Sequence, residues 1–516
     1  MPLSLIRGKH VVCKVTGVES AEVVSDGAVL QRDGVIEAVG DYRELSQQHP
    51  DAEGIGAGNH IVMPGMVNDH FHVGLTPFQM GAPDLPLEMW SLHRIGIRAI
   101  DPYLDQLYGA VQMIETGTTT VQAIHSPGRG YGPVSMEIAD KVIDAYQTSG
   151  MRVSYAPSVV DQNSMVAGAG GGEADFAAAM PADLAERYRS LMAPSYWPAG
   201  EIIPVLDEIC RKYGDNQHER VQVTMAPSNV HRCSDELLVG IKELAGRHST
   251  GIHIHLQETV YQKLYGFTAY GKTPLQHLYD LGFLGPEVVC GHSVWATEED
   301  LRLMAETGTN ICHNASSNLR LQSGIAPMGR ILEAGIKVAI GSDEAGLNDD
   351  KDLFQEMRLV LKIHRVPGIE LEPPTSYQVL QMATANGAYA SWFGDRIGTL
   401  EPGKRADMVL VDMRNIEEPF LDPRVSVVDA LVHRGRGIDV ETVLVDGEVV
   451  LRDKQLTSVD KEALFREVRD ALDRPLTAQE EERRELARLV EPHLRRFYSG
   501  TTQQDMTPFT AYNSRV

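Results

Sequence analysis

Two histidines separated by one residue, His70 and His72, end an apolar segment that begins at Val62. Side chains of an extended strand alternate between its two faces, so both imidazoles leave the same face and can reach one point. Imidazole nitrogens are preferred ligands of Zn²⁺ and related divalent metals. The pair therefore indicates a metal site, but histidines at this spacing are also common without a function, and further ligands must decide.

Three later segments carry such ligands, each at the point where a hydrophobic run stops. His255 ends one run and is followed three residues later by Glu258, while His292 and Asp343 end two others. His253 shares a strand face with His255, so either could be the ligand. The His-x-x-Glu spacing favours His255.

Composition limits the partners. A chain of 516 residues with 43% hydrophobic content can bury one large core beside a smaller second domain. Its net charge of -24 argues against nucleic acid or an anionic membrane as a partner. It fits an enzyme acting on a small neutral or cationic molecule, although ordinary solubility explains the charge equally well.

We see no secretory leader and no apolar run of about 18 residues, so we expect a cytoplasmic protein.

Five cysteines are scattered without close spacing. This predicts reduced, buried thiols rather than a disulfide framework or a thiolate zinc site. They are Cys13, Cys210, Cys233, Cys290 and Cys312.

Residues 1–62 read as short strands separated by turns, with hairpin signals at Asp26-Gly27 and Asp33-Gly34. From 63 to 385, apolar runs alternate with amphipathic stretches of helical length, as in parallel βαβ units. The runs are Met66 to His72, Thr118 to Ala123, Arg152 to Ala156, Val221 to Met225, Gly251 to His255, Val288 to His292, Asn310 to His313 and Val338 to Asp343. Eight such units predict an α/β fold with a closed (β/α)8 barrel, whose active site lies at the carboxyl ends of the strands.

Residues 386–456 return to short strands with a hairpin signal at Asp446-Gly447, and we expect them to join residues 1–62 in a composite β-sandwich. Residues 457–516 read as C-terminal helices and a tail, with a capping box at Thr477 and Glu480. The polar segment 501–516 is a tail or an oligomer arm, and we expect a homo-oligomer, a dimer or larger. The irregular insertion at 162–197 is either a lid over the barrel mouth or an ordinary surface loop.

Together these motifs resemble the amidohydrolase superfamily, specifically its branch of cytosine-deaminase-like aminohydrolases and s-triazine hydrolases. The resemblance extends over nearly the whole chain, through Met63 to His72, His255 to Thr259, His292, Ser317 to Leu319, Gly324 to Pro327, Ser342-Asp343 and Gly398 to Val411. It implies a distorted barrel with a composite β-sandwich and one divalent metal ion, zinc or alternatively iron. We see no candidate bridging lysine where Met225-Ala-Pro-Ser-Asn229 stands, which favours one metal over two.

We expect four metal ligands, namely His70, His72, His255 and Asp343, with a water molecule at the open position. The ion would lower the pKa of that water towards about 7. Asp343 would take its proton, and Glu258 would deliver a proton to the substrate. The resemblance implies that His292 orients the water or polarises the substrate. Two alternatives remain: Glu258 could be a salt-bridge partner at a helix start, and His292 a packed imidazole.

Loops after the strand ends could line the substrate pocket. The candidates are Gln79, Trp90, His125, Asn229, Trp295 and Asn318. For His125 and His313, packing is the favoured interpretation. The resemblance implies hydrolysis of a carbon–nitrogen bond of a small nitrogen-rich ring, most simply deamination of an amino-heterocycle. Alternatives with the same centre are removal of chloride or alkylamine from an s-triazine-like ring, or amide or urea hydrolysis; a non-catalytic scaffold is the remaining one.

Overall fold

The computed structural model describes residues 3–126, 134–163, 165–168, 170–193, 196–214, 220–344, 346–366, 368–369 and 372–500. The predicted tail at 501–516 lies outside the described residues. Within these ranges, no helix combines the length and apolar character needed to cross a membrane.

The N-terminal segment forms strands around one short helix. Its elements are β1 (Ser4–Gly17), β2 (Ser20–Arg32), β3 (Val35–Asp41), α1 (Tyr42–Gln48), β4 (Glu53–Gly56) and β5 (His60–Pro64). The hairpin predicted at Asp33-Gly34 is confirmed between β2 and β3. The one predicted at Asp26-Gly27 is wrong, because β2 runs through both residues and pairs with β1 on either side of them. Asp26 takes a left-handed φ of +43° there without reversing the chain.

The predicted strand runs all form parallel strands. They are β6 (Met66–Phe71), β7 (Thr118–His125), β8 (Arg152–Val159), β9 (Val221–Val223) with its extension β10 (Ala226–Pro227), β11 (Ile252–Leu256), β12 (Val288–His292), β13 (Asn310–His313) and β14 (Val338–Ile340). Nearly every residue in them is buried. Such continuous burial is typical of parallel strands covered by helices.

These strands form two sheets that meet along both edges. One sheet has the order β10-β8-β7-β6 with β9 also on β8, and the other has the order β11-β12-β13-β14. Parallel bridges Met225–Ile252 and Phe71–Asp343 join their edges. The Asp343 amide donates to the carbonyl oxygen of His70 at 2.8 Å, which holds the second seam beside the first histidine pair. The two sheets therefore close into a barrel of the TIM type, as predicted.

Helices surround the barrel and separate its strands. They are α2 (Leu87–Arg94), α3 (Pro102–Glu115), α4 (Met136–Ser149), α5 (Glu173–Ala178), α6 (Ala182–Met192), α7 (Ala199–Tyr213), α8 (Asp235–His248), α9 (Val260–Tyr270), α10 (Pro274–Asp280), α11 (Glu298–Thr307), α12 (Ala315–Arg320), α13 (Met328–Glu333), α14 (Leu353–Ile363), α15 (Ser376–Gln381), a π-helical turn (Met382–Asn386) and α16 (Gly387–Ala390). Their apolar faces and the strands share one continuous hydrophobic core. All five cysteines are buried and none of them forms a disulfide bond, as predicted.

The C-terminal segment completes the sheet that the N-terminal strands begin. Its elements are β15 (Met408–Asp412), α17 (Arg414–Glu417), α18 (Val427–Arg434), β16 (Val440–Val445), β17 (Glu448–Arg452), β18 (Gln455–Leu456), α19 (Lys461–Leu472) and α20 (Ala478–Tyr498). Strand β15 pairs with β5, so both ends of the chain share one nine-stranded sheet. The hairpin at Asp446-Gly447 and the capping box of Thr477 with Glu480 are confirmed. The two-layer sandwich and the exact domain boundaries at 62, 385 and 456 stay predictions.

A second hydrophobic cluster covers part of the barrel. It joins α2, α5, α6 and α20, and includes Leu92, Phe176, Tyr188 and Leu494. The Tyr498 hydroxyl accepts a hydrogen bond from the amide of Ala167 at 3.0 Å. The described residues of the 162–197 insertion are thus packed against the C-terminal helix.

Candidate metal centre and its pocket

Four barrel strands bring five predicted side chains together. His70 belongs to β6 and His72 follows it, His255 belongs to β11, His292 ends β12, and Asp343 follows β14. The Nε2 atom of His72 lies 3.1 Å from Nε2 of His70 and 3.1 Å from Nε2 of His255. Asp343 Oδ1 lies 3.3 Å from His72 Nε2 and 3.7 Å from His70 Nε2. The predicted ligand atoms therefore face one small volume.

The backbone determines which nitrogen of two imidazoles faces that volume. His72 Nδ1 lies 2.6 Å from the carbonyl oxygen of Ile124, and His255 Nδ1 lies 2.7 Å from that of Ser228. A carbonyl only accepts, so each Nδ1 must carry the proton. Each neutral ring then has an unprotonated Nε2, and two lone pairs face each other across 3.1 Å. A cation between them satisfies both, so the donor set fits a divalent metal.

His70 has a partner on its other nitrogen. Its Nδ1 lies 2.8 Å from Nε2 of His253, the residue that was the alternative to His255. Ligation through His70 Nε2 requires the shared proton to sit on His70 Nδ1, so His253 acts as its acceptor. His70, His72 and His255 form one set of candidate metal-binding groups, and His70, His253 and Cys312 another. A third set consists of His70, His292 and Asp343. The first and third sets include residues that line the pocket, and the second set does not.

Burial determines the protonation of these rings. It lowers the pKa of His70 and His255 well below the usual value, and neighbouring imidazoles add to the effect. Burial also lowers the pKa of His253, to about 3. All three are therefore neutral near pH 7, and neutral imidazole is the form that binds a metal.

The backbone angle of Asp343 and a hydrogen bond from Ser317 orient its carboxylate. Its φ of +54° is unusual for a residue other than glycine and turns the side chain after the strand end. Ser317 Oγ donates to Oδ2 at 2.5 Å, while Oδ1 faces the imidazoles. The hydroxyl thus orients the carboxylate towards the candidate metal position.

Glu258 and His292 lie beside the cluster. His292 Nδ1 is 3.8 Å from Glu258 Oε1, and its Nε2 is 3.9 Å from Asp343 Oδ2. Asn318 Oδ1 lies 2.8 Å from His292 Nδ1. Burial raises the pKa of Glu258; the charge of His292 opposes this and that of Asp343 adds to it. A carboxyl with a raised pKa can hold a proton closer to neutral pH.

The predicted substrate residues divide between the pocket and its surroundings. Trp90 and Asn229 line the pocket together with His72, His255 and Asp343. Asn318 is linked to it through His292. The remaining three have other positions: Gln79 is exposed and bonds to Thr76 and Tyr108, Trp295 Nε1 donates to the carbonyl oxygen of Ser323, and His125 is buried at the end of β7.

Sequence reasoning missed several groups of the pocket. Ser228 accepts from His255 and Ser317 orients Asp343. Arg94 and Arg232 line the pocket as well. Arg232 stands three residues beyond Asn229, so its position after a barrel strand was a usable signal. Arg94 lies on α2, and no local pattern connects that helix to the barrel mouth.

The family model described as "Amidohydrolase family" matches residues 61–450, and one for an imidazolonepropionase-like composite domain of bacteria matches residues 27–52. A 5'-deoxyadenosine deaminase of Methanosarcina barkeri is 31% identical over 459 residues, which cover 88% of this chain and 94% of that protein. A 5-methylthioadenosine/S-adenosylhomocysteine deaminase of Syntrophobacter fumaroxidans is 30% identical, covering 86% and 92%.

A solved structure also matches closely. It is that of an adenosine deaminase from Xanthomonas campestris with bound zinc. The superposition has a TM-score of 0.76 at 26% identity and covers 91% of this chain and 97% of the other.

Proposed function

The chain belongs to the amidohydrolase family and is a hydrolase of carbon–nitrogen bonds, and on that premise we propose that it deaminates a small amino-substituted nitrogen heterocycle. The observation that carries the proposal is the pair of unprotonated Nε2 atoms of His72 and His255, 3.1 Å apart and beside a carboxylate. Such a cluster suits metal-assisted hydrolysis. The remaining residues of the pocket supply proton transfer.

We assign His70, His72, His255 and Asp343 as ligands of one divalent metal, zinc or alternatively iron. When bound, the ion supplies a water molecule of lowered pKa at neutral pH. The neutral state of His70 and His255 and the Ser317 contact with Asp343 support this assignment.

Asp343 receives the proton of the attacking water on Oδ2. Its Oδ1 is directed to the imidazoles, which leaves Oδ2 as the proton acceptor. The hydrogen bond from Ser317 keeps Oδ2 on the side of His292. The chain therefore separates the ligand oxygen from the basic oxygen of one carboxylate.

Glu258 delivers protons to the ring nitrogen and to the departing amine. Burial raises its pKa, which favours the protonated form that a general acid needs. As water adds to the ring carbon that bears the amino group, negative charge develops on the neighbouring ring nitrogen, and a proton from Glu258 neutralises it. The ionised Glu258 then takes the proton of the added hydroxyl as the ring carbonyl forms and passes it to the amine, which leaves as ammonia. The proton held by Asp343 finally returns to Glu258.

His292 orients the reacting water. Asn318 Oδ1 accepts from His292 Nδ1–H, so Nε2 is left as an acceptor, with the Asn314 amide nitrogen 3.3 Å away and Asp343 Oδ2 at 3.9 Å. A water molecule that enters between His292 and Asp343 can donate one proton to each. The left-handed φ of +69° at His292 turns its ring into the cluster.

The ring is proposed to be a 6-aminopurine. The two curated relatives are named as deaminases of adenosine derivatives and are about 30% identical to this chain over most of its length. Trp90 offers a flat face for a planar ring, and Asn229 offers an amide for hydrogen bonds; both line the pocket.

The test is a product assay. Zinc- or iron-loaded protein is incubated with amino- and chloro-substituted purines, pyrimidines and triazines, and ammonia, alkylamine and chloride are measured separately. We expect ammonia from an aminopurine, absent in the Asp343→Ala variant. Chloride or alkylamine as the product, or ammonia release that survives in Asp343→Ala, would overturn the proposal.

A further inference from the structure

Arg232 brings a positive charge to the pocket, and no carboxylate of the described residues forms an ion pair with it. The pocket wall includes Arg232 together with His255 and Glu258. In the described part of the chain, no acidic oxygen lies within 4.0 Å of its guanidinium. Its Nη1 donates to Ser228 Oγ at 3.4 Å, and its buried Nε has no hydrogen-bond partner among the described residues.

The second arginine of the pocket makes the contrast. Arg94 Nη2 lies 2.5 Å from Glu344 Oε1, so its charge is compensated within the protein. Arg94 also stacks over Trp90, with its guanidinium carbon 4.8 Å from the ring centre. Arg232 has neither a carboxylate nor an aromatic face among the described residues in contact with it.

Burial makes an uncompensated charge costly. Burial lowers the pKa of Arg232, and the charge of Arg94 acts in the same direction, while the charge of Glu258 opposes both. A guanidinium nevertheless stays protonated in proteins, so the group keeps its charge and its unused donors. An anion that enters the pocket would stabilise this charge by direct contact.

The position of Arg232 is fixed close to the metal centre. Its carbonyl oxygen accepts from the amides of Asp161 and Gln162 at 3.1 and 3.2 Å. Ser228, which its Nη1 contacts, also accepts the Nδ1 proton of His255 through its carbonyl oxygen. One residue therefore separates the guanidinium from a proposed metal ligand.

We propose that Arg232 binds an anionic group, a carboxylate or a phosphate, carried by the molecule that this centre hydrolyses. The proposal deepens the proposed function and rests on it. The planar fork of arginine pairs with either anion through two parallel hydrogen bonds. The net charge of -24 suggested a neutral or cationic substrate. At contact distance, however, the charge of Arg232 has a larger effect on a ligand than the overall charge of the protein, because distant surface charges are screened.

Affinity for matched ligands tests this directly. The zinc-loaded Glu258→Gln protein, in which turnover should be about 10²-fold slower, is titrated calorimetrically with adenosine 5'-carboxylate and its carboxamide, and with adenosine 5'-phosphate and adenosine. In one of the two pairs, we expect the anionic ligand to bind at least about tenfold more tightly than its neutral partner. Arg232→Gln should remove that preference. The pair that shows the preference identifies carboxylate or phosphate.

A probe without a ring separates this inference from the proposed substrate. Thermal unfolding of the zinc-loaded protein is followed with increasing acetate or inorganic phosphate. One of these anions should raise the unfolding temperature of the wild type and of Arg302→Gln, which removes an exposed arginine on α11, but not that of Arg232→Gln. If no nucleoside binds but the anion still stabilises the wild type through Arg232, the proposed purine ring is wrong and the role of Arg232 stands. Equal responses of the wild type and Arg232→Gln to the anions would overturn the role of Arg232, whatever the ring.

Kinetics distinguish anion binding from a simple influence on Glu258. Arg232→Gln should raise KM for the anionic substrate about tenfold or more and leave kcat and the neutral analogue within about twofold. Arg232→Lys should restore part of the affinity, because it keeps the charge without the fork. If instead kcat falls equally for charged and neutral substrates, Arg232 acts through Glu258 and the proposal is wrong. Circular dichroism and zinc content verify that each variant is folded and loaded.

Discussion

His72 Nε2 lies 3.1 Å from His255 Nε2 although each ring donates its Nδ1 proton to a backbone carbonyl. Two buried nitrogen lone pairs at this distance repel each other unless a cation lies between them. The carbonyl of Ile124 belongs to β7, and that of Ser228 directly follows β10. Because both carbonyls belong to the barrel backbone, the fold itself determines both tautomers. The metal centre is thus prepared by the backbone before a metal binds.

Metal removal should therefore cost both activity and stability. Dialysis against a chelator is expected to abolish turnover and to lower the unfolding temperature, because ligand binding to the folded state contributes about 3 kcal/mol at a metal concentration of roughly 100 Kd. Zinc or iron should restore both. His72→Ala provides the control, since its unfolding temperature should respond little to metal. Equal unfolding temperatures of chelated and metal-loaded wild type would refute a structural metal contribution.

Glu258→Gln should retain the fold and the metal but reduce kcat by about 10²-fold or more, the usual scale for loss of a general acid–base. Glutamine keeps the shape of the side chain and cannot transfer the proton. Glu299→Gln, an exposed carboxylate on α11, is the matched control and should keep wild-type rates. Steady-state kinetics measure the difference, and unchanged kcat in Glu258→Gln would assign proton delivery to another group.

Ser317→Ala should lower kcat about tenfold while metal content stays near one per chain, because Oδ2 of Asp343 loses a charge-assisted hydrogen bond. Ser317→Thr, which keeps the hydroxyl, should recover most of the rate. The neighbouring Ser316 donates instead to Glu356, so Ser316→Ala should leave kcat within about twofold. Equal losses in the two alanine variants would mean that the effect is structural rather than directed at Asp343.

Stability should fall as the pH rises because of Glu356. Burial raises its pKa from 4.5 to about 7 in the folded protein. Below pH 4.5 both states hold the proton and the stabilising contribution is complete; it is lost as the pH rises through about 7, since the unfolded state ionises first. The shift corresponds to up to about 3 kcal/mol.

Chemical denaturation at pH 5 and pH 8 measures this loss. The free energy of unfolding of Glu356→Gln should decrease less between the two values than that of the wild type. An identical decrease in both proteins would show that Glu356 does not account for the pH dependence.

The barrel could be predicted because each strand is a buried apolar run, and five of the eight runs end in His or Asp. Because the carboxyl ends of barrel strands meet at one mouth, the sequence predicts that His70, His292 and Asp343 lie together. Local sequence could not predict the partners of these groups. Ser317 reaches Asp343, and His253 reaches His70, through contacts between residues 26 and 183 positions apart.

Turn signals and insertions were harder for related reasons. Asp26-Gly27 has the composition of a hairpin, but cross-strand pairing with β1 keeps the chain extended on both sides of it. The choice between lid and surface loop for the 162–197 insertion depended on contacts with α20, such as that between Ala167 and Tyr498, more than 300 positions away. No local pattern encodes such a contact.

The most direct test of the central claim is the fate of water oxygen. Metal-loaded protein is incubated in ¹⁸O-labelled water with the aminopurine substrate, and ammonia and the ring product are quantified by mass spectrometry. We predict one ammonia released and one ¹⁸O atom incorporated for each molecule converted, at the carbon that carried the amino group. Ammonia released without ¹⁸O in the ring, or a labelled product formed with loss of another group, would contradict hydrolytic deamination at this centre.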